Sequence, residues 1–317
     1  MFSITSSSRQ EFDVIPLPDE SCKPTVDIIP SCGALLHGFT VVHNDVEMNI
    51  INSYASKQEF DESFEAKGFK SAKLSPFVCR LKNGSYQYGE KKYRINKFYL
   101  GENAIHGLIY DKPFKIVSQQ SNTEKASLEL LHEYRGEDAG YPFNYDCSVT
   151  YSLSTGNHLT ISTNIINRDA GIIPVADGWH PYFSFGKKID ECQLEFQSKE
   201  MLEFDEELLP TGNLLPYQEF GSIKPIGDTF FDNCFTVNFA ECQPMLVFRD
   251  PVSKLQLEIS PDKSYPYLQV YTPPDRNSIA FENLSAAPDA FNNGMGLINL
   301  PPGNIKVFAT EYRIVAI

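Results

Sequence analysis

Polar and apolar positions alternate most strictly over residues 144–154 (NYDCSVTYSLS), where Tyr145, Cys147, Val149, Tyr151 and Leu153 stand between polar neighbours. Successive side chains leave a strand on opposite faces, so five repeats of period two predict a strand with one face in a core. Residues 158–166 (HLTISTNII) carry the pattern on with Leu159, Ile161 and Ile165. Between them lies Ser154-Thr155-Gly156-Asn157, a turn-forming cluster, and a β-hairpin is expected. Further strands are expected at residues 126–134, 254–259, 267–271 and 306–317. Pro273-Pro274 and Pro301-Pro302-Gly303 punctuate them. Helical periodicity is weak. A short helix is predicted over residues 58–66 and a weaker one over residues 200–208.

No repeat, low-complexity linker or shift of composition divides the 317 residues. Many strands, few short helices and no linker predict a single all-β domain over residues 1–317, built as a large antiparallel sandwich.

Composition sharpens this in two ways. Aromatic residues reach 13%, with 23 Phe and 16 Tyr against one Trp, which suits strands and surfaces that stack on ring-shaped ligands. Acidic residues outnumber basic ones by 41 to 27, for a formal charge of −14. Phosphate backbones and anionic lipid repel such a chain, so nucleic acid and membrane surfaces are poor partners. No run of about 20 apolar residues is present, and the N-terminal residues lack a basic segment followed by an apolar one. The seven cysteines (Cys22, Cys32, Cys79, Cys147, Cys192, Cys234 and Cys242) are odd in number, scattered and without a C-x-x-C pair. Neither a zinc cluster nor a disulfide framework is indicated, and a reducing cytoplasm is the expected location.

Few residues offer chemistry. Of six histidines, His106 precedes Gly107, and His180 stands in Gly178-Trp179-His180-Pro181-Tyr182-Phe183 beside the sole Trp. Trp179, Tyr182 and Phe183 could wall a pocket around His180, although an isolated histidine more often packs in a core. Glu282 follows three residues of strand character and precedes a Pro-containing loop, a place where a carboxylate is held firmly and still reaches a ligand. Taken alone it reads as a solvated glutamate. Arg80 follows the apolar run Phe77-Val78-Cys79, and its fork of donors suits paired hydroxyls or a carboxylate. Asp232, between Phe231 and Asn233, suits hydroxyl recognition or a turn cap. The glycine-rich phosphate loops, the H-E-x-x-H zinc motif and the G-x-S-x-G elbow are absent. A two-carboxylate glycosidase is left open by counting alone.

In order, seven segments resemble the aldose 1-epimerase (galactose mutarotase-like) family. They are residues 75–96 (SPFVCRLKNGSYQY…KKYRIN), 103–107 (NAIHG), 140–153 (GYPFNYDCSVTYSL), 177–183 (DGWHPYF), 231–235 (FDNCF), 280–292 (AFENLSAAPDAFN) and 300–304 (LPPGN). The resemblance runs from about Ile29 to the C-terminus. The HPYF form is similar to the branch that includes hexose-6-phosphate epimerases. Three positions depart from the common pattern: Cys79 where an Asn often precedes the Arg, Leu108 where a second Gly is common, and Asn283 where Pro or Thr is usual.

The resemblance implies a β-supersandwich with the sugar in an open cleft and no cofactor or metal. It implies His180 as general acid, Glu282 as general base, and Arg80, His106 and Asp232 as hydrogen-bonding partners of the sugar. Ring opening removes the proton of the C1 hydroxyl and protonates the ring oxygen, tasks suited to a carboxylate and an imidazolium. Trp179 or Tyr182 would face the apolar side of the ring. The expected partner is an aldose or aldose phosphate, bound by a monomer or weak homodimer; Lys82 and Lys97 are candidates for a phosphate. A non-catalytic sugar-binding sandwich and a glycoside-cleaving enzyme are the competing readings.

Overall fold

The computed structural model describes residues 7–9, 11–18 and 24–317; Cys22 lies outside them. Strands make up 53% of the chain and helices 6%, and the all-β class holds. Two sheets carry the architecture. One has nine strands in the order Lys115–Ser121, Lys125–Arg135, Asn144–Ser154, His158–Asn167, Ile305–Ala316, Leu255–Pro261, Leu246–Asp250, Gln193–Phe196 and Lys224–Pro225. The other runs Pro210–Pro216, Ser198–Phe204, Asp232–Val237, Tyr267–Tyr271, Ile279–Leu284, Gly178–His180 and Ala72–Leu74, with Tyr182–Phe183 paired to Ile279–Leu284. All these pairings are antiparallel.

The predicted hairpin forms between Asn144–Ser154 and His158–Asn167, closing where Ser154 faces His158. Gly156 and Asn157 take positive φ of 81° and 56° in the turn, which these two residue types tolerate best. Tyr145, Cys147, Val149, Tyr151 and Leu153 are all fully buried, as the alternation requires. Each large side chain so buried contributes roughly 1.5–3 kcal/mol. The two sheets meet face to face through aromatic pairs. Trp179 meets Tyr151 at 6.1 Å between ring centres, Phe183 meets Tyr312 at 5.8 Å, and Phe281 meets Phe248 at 5.6 Å. A five-stranded sheet from Ser7–Arg9 to Val46–Asn49 adds Ile15, Leu17, Val26 and Phe39 to the same core.

The predicted first helix spans Lys57–Ser63, shorter than expected. Ser56 caps it by accepting from the Glu59 N–H at 3.1 Å, and Phe60 buries its inner side. The helix expected over residues 200–208 does not exist. Ser198–Phe204 is a strand paired on both edges, and Leu202 is buried beneath it. The acidic residues that suggested a helix belong to the turn after it, where the Asp205 carboxylate accepts from the Glu207 and Leu209 N–H groups. Pairing on two sides outweighs a weak local preference.

Candidate active site

Period two sorts the second sheet into an apolar face and a polar one. Trp179, Phe183, Phe231, Phe235, Leu268, Val270, Ile279 and Phe281 turn into the core. Their alternates His180, Tyr182, Asp232, Gln269, Tyr271 and Glu282 line a cavity of about 500 Å³. Register places them side by side: Gln269 faces Glu282, Asp232 faces Tyr271, and Tyr182 faces Ala280. Glu282 lies within its strand and not at its end, so it is buried, with 2% of its side chain exposed.

The opposite wall comes from a three-stranded sheet in the order Tyr99–Leu100, Asn103–Ile105, Arg80–Leu81. Arg80 pairs with Ile105, and the His106 N–H donates to the Cys79 carbonyl at 3.0 Å. Left-handed backbone at Cys79 (φ 48°), His106 (φ 60°) and Gly107 (φ 80°) brings the Arg80 and His106 side chains to the cavity. Only glycine fits at position 107: a Cβ would stand 2.2 Å from the Ser75 carbonyl oxygen.

At the floor, His180 Nε2 lies 3.3 Å from Glu282 Oε1. His180 stacks on Tyr182 with 5.0 Å between ring centres and meets His106 edge-on at 5.0 Å. The Tyr182 hydroxyl donates to the Gly68 carbonyl at 2.9 Å. Gln269 donates to Asp232 Oδ1 at 3.0 Å. His106 Nδ1, His180 Nδ1, Glu282 Oε2 and Gln269 Oε1 are buried without a hydrogen-bond partner. Buried polar atoms seldom stay unpaired, so four around one cavity point to a ligand rich in hydrogen-bonding groups.

Burial sets the proton balance. It lowers His180 from the ordinary histidine range to about 3. His106 is held well below that range by burial, then by His180 and Arg80. Burial, reinforced by Asp232 and opposed by Arg80, raises Glu282 well above the usual carboxylate range. Asp232 is raised by burial against the pull of Arg80 and the Gln269 hydrogen bond. The expected picture of a standing imidazolium beside a carboxylate is therefore replaced by a pair driven toward its neutral forms. A neutral acid beside a neutral imidazole holds the same single proton as the ion pair does.

His180, Glu282, Arg80, His106, Asp232 and Tyr182 thus share one cavity. Trp179 does not. The alternation that aims His180 at the cavity aims Trp179 into the core, against Tyr151 and 4.7 Å from Lys73 Nζ. Of the three departures from the family pattern only Cys79 lines the cavity; Leu108 is fully buried in the core, and Asn283 sits on the core-facing register of its strand. The phosphate candidates also fall away: Lys82 is exposed, and Lys97 lies over Phe98, 3.8 Å from Asp111. The lysines that do line the cavity are Lys67 and Lys70. Sequence reasoning missed Gln269. Its signal was a polar residue at the centre of the apolar run Tyr267–Tyr271 (YLQVY). Among the described residues no group of three or more His, Cys, Asp or Glu side chains could hold a metal ion, and no helix is long and apolar enough to cross a membrane.

Comparison with known proteins agrees with this geometry. A protein called YihR from Escherichia coli K12, described as uncharacterized, is 28% identical over 241 residues, spanning 73% of this chain and 74% of that protein. An aldose 1-epimerase of Haemophilus influenzae is 28% identical over 227 residues, covering 65% of this chain and 64% of its own length. The crystal structure of a galactose mutarotase-like protein from Clostridium acetobutylicum superposes with a TM-score of 0.89. It is 16% identical and covers 100% of this chain and 99% of its own, a likeness of fold. The family model described as aldose 1-epimerase matches residues 25–313, and the chain belongs to that family.

Proposed function

We propose that this protein interconverts the α and β anomers of an aldohexose by opening and reclosing the pyranose ring. One observation carries the reading: a buried His180–Glu282 contact at 3.3 Å on the cavity floor, each partner keeping a second polar atom free of protein.

Anomerisation needs one proton taken from the C1 hydroxyl and one given to the ring oxygen. The ring C1–O5 bond breaks, an aldehyde forms at C1, and the net proton count is unchanged. A pair that shares a single proton supplies both roles at once. Glu282 as carboxylate accepts the C1 proton while His180 delivers its proton to the ring oxygen. After rotation about C1–C2 the same steps run backwards on the other face. Sugar hydroxyls at the unpaired Glu282 Oε2 and His180 Nδ1 would stabilise the charged form that burial disfavours, and Arg80 helps hold the carboxylate.

The remaining groups fix the sugar. Arg80 and His106 face its hydroxyls from the upper wall, and Asp232 and Gln269 from the sheet. Tyr182 has given its hydroxyl to Gly68, so its part is to back the His180 ring. The cavity favours a neutral sugar over a phosphorylated one. Lys67 is paired with Glu59 at 2.7 Å, Lys70 with Asn52, and Glu65 and Asp275 share the lining.

The test is polarimetry on freshly dissolved α-D-glucose and α-D-galactose. Glu282→Gln and His180→Asn should each lower the enzymic rate by 10³-fold or more, with circular dichroism unchanged. Full activity in either variant sinks the assignment, and saturable sugar binding without faster mutarotation in the unaltered protein selects a binding module instead.

A further inference from the structure

The cavity is too large for one sugar ring. An aldohexose has twelve non-hydrogen atoms. Granting each the ~30 Å³ a water takes in the liquid, it fills about 360 Å³ of the roughly 500 Å³ present. The excess lies along the sheet. From Glu282 the cavity passes Gln269 and Asp232 on the next two strands and reaches Phe204 on the third. At about 4.8 Å per strand this is roughly 14 Å.

The chemistry changes along that path. Glu282, Gln269 and Asp232 are polar. Beyond Asp232 the lining turns apolar, with Phe204, Leu208, Leu100 and Pro288. These side chains come from independent elements. Phe204 ends its strand and packs beside Leu202 and Cys234. Leu208 is presented by the turn after it, at a φ of 58° that non-glycine residues seldom adopt, fixed where its N–H donates to the Asp205 carbonyl at 3.0 Å. Leu100 projects from the edge of the sheet that carries Arg80 and is 37% exposed. An aromatic ring among aliphatic side chains, open to solvent and next to a hydrogen-bonding site, suits the carbon face of a second pyranose.

We propose that this outer end of the cleft is a second sugar subsite, and that the protein equilibrates the reducing ring of a disaccharide, with the non-reducing ring held against Phe204, Leu208 and Leu100. The inference rests on the anomerase reading above. The reducing ring keeps a free C1 hydroxyl at His180 and Glu282, and its partner ring extends past Asp232.

The experiment is anomer-exchange NMR on the full chain with glucose, maltose and cellobiose. At least one disaccharide should be equilibrated with a kcat/KM equal to or above that of glucose. Phe204→Ala should lower the disaccharide value tenfold or more and leave glucose within twofold, and Leu100→Ser should do the same more weakly. Glucose turned over with both disaccharides thirtyfold or more slower overturns the second subsite and leaves the anomerase reading standing. Variants that lower both sugars equally, or neither, also overturn the subsite. Equilibration of none of the three sugars overturns the anomerase reading itself.

Discussion

Two buried acid–base pairs sit on the two faces of the strand Gly178–His180. On the core face Lys73 pairs with Asp177, both with 0% of their side chains exposed. On the cavity face His180 pairs with Glu282, almost as deeply buried. They differ in completeness. Lys73 donates a second bond to the Gly178 carbonyl at 3.1 Å and lies over Trp179. The other Asp177 oxygen accepts from Tyr265 at 2.7 Å, and the Asp177 N–H donates to Ser285. Glu282 Oε2 and His180 Nδ1 have no partner. The first pair is satisfied by its own fold and holds the strand, and the second is left for something outside the fold to satisfy. Burial of charge does not separate scaffold from site here, and the unmade hydrogen bonds do.

The sharpest way to break that contrast is to remove one partner of the core pair. Lys73→Met leaves Asp177 buried with its main countercharge gone and should cost about 3–5 kcal/mol, read from urea denaturation. The double replacement Lys73→Met with Asp177→Asn should recover a large part of the loss, because no buried charge then stands alone. A single-variant cost below about 1 kcal/mol would show that the pair is not the scaffold described.

The same alternation explains what was legible beforehand. Residues 144–154 and their hairpin could be read because one face is wholly apolar and the turn carries Gly156 and Asn157. The sheet that bears the site is harder. Its strands are short, and its second face is polar by purpose, so Tyr267–Tyr271 reads as a core strand with an incidental Gln269. Trp179 could be placed beside His180 in sequence but not on a face, since facing depends on a register set by the partner strand, where Trp179 meets Lys73 and His180 meets Ala72. The departures at Leu108 and Asn283 looked like changes of the pocket for the same reason. Arg80, His106 and Asp232 were found by motif order. Their meeting on one cavity comes from three sheets that no local pattern relates. The outer wall formed by Phe204 and Leu208 lay inside the segment expected to be helical.

A second contrast lies in how the two faces respond to acid. His106 is held neutral in the fold by burial, while an unfolded chain takes up a proton below about pH 6.5. The unfolded state then binds more protons, so this group lowers stability as pH falls. Asn tolerates the positive φ at position 106 and does not titrate. His106→Asn should therefore lessen the loss of stability between pH 6.5 and 5 by about 1.4 kcal/mol for each pH unit, measured by denaturation at several pH values. An unchanged slope would show that His106 is charged in the fold and that the cavity is not the desolvated site described.

The smallest expected effect bears most directly on the comparison. If Glu282 is kept for its chemistry at a cost in stability, Glu282→Gln should do the opposite of Lys73→Met. Its folded pKa is raised, so the carboxyl's contribution is fully present below the unfolded value and is lost as pH rises through the folded one. The glutamine variant, which has no ionisation to suppress, should match the parent near pH 4 to 5. It should gain about 1 kcal/mol over the parent by pH 8, read as a rising difference in Tm. Gain of stability with loss of anomerisation is the signature of a group whose missing partner is the substrate. A loss of several kcal/mol at every pH would make Glu282 a second Lys73–Asp177, a strut, and erase the distinction between the two faces of the strand.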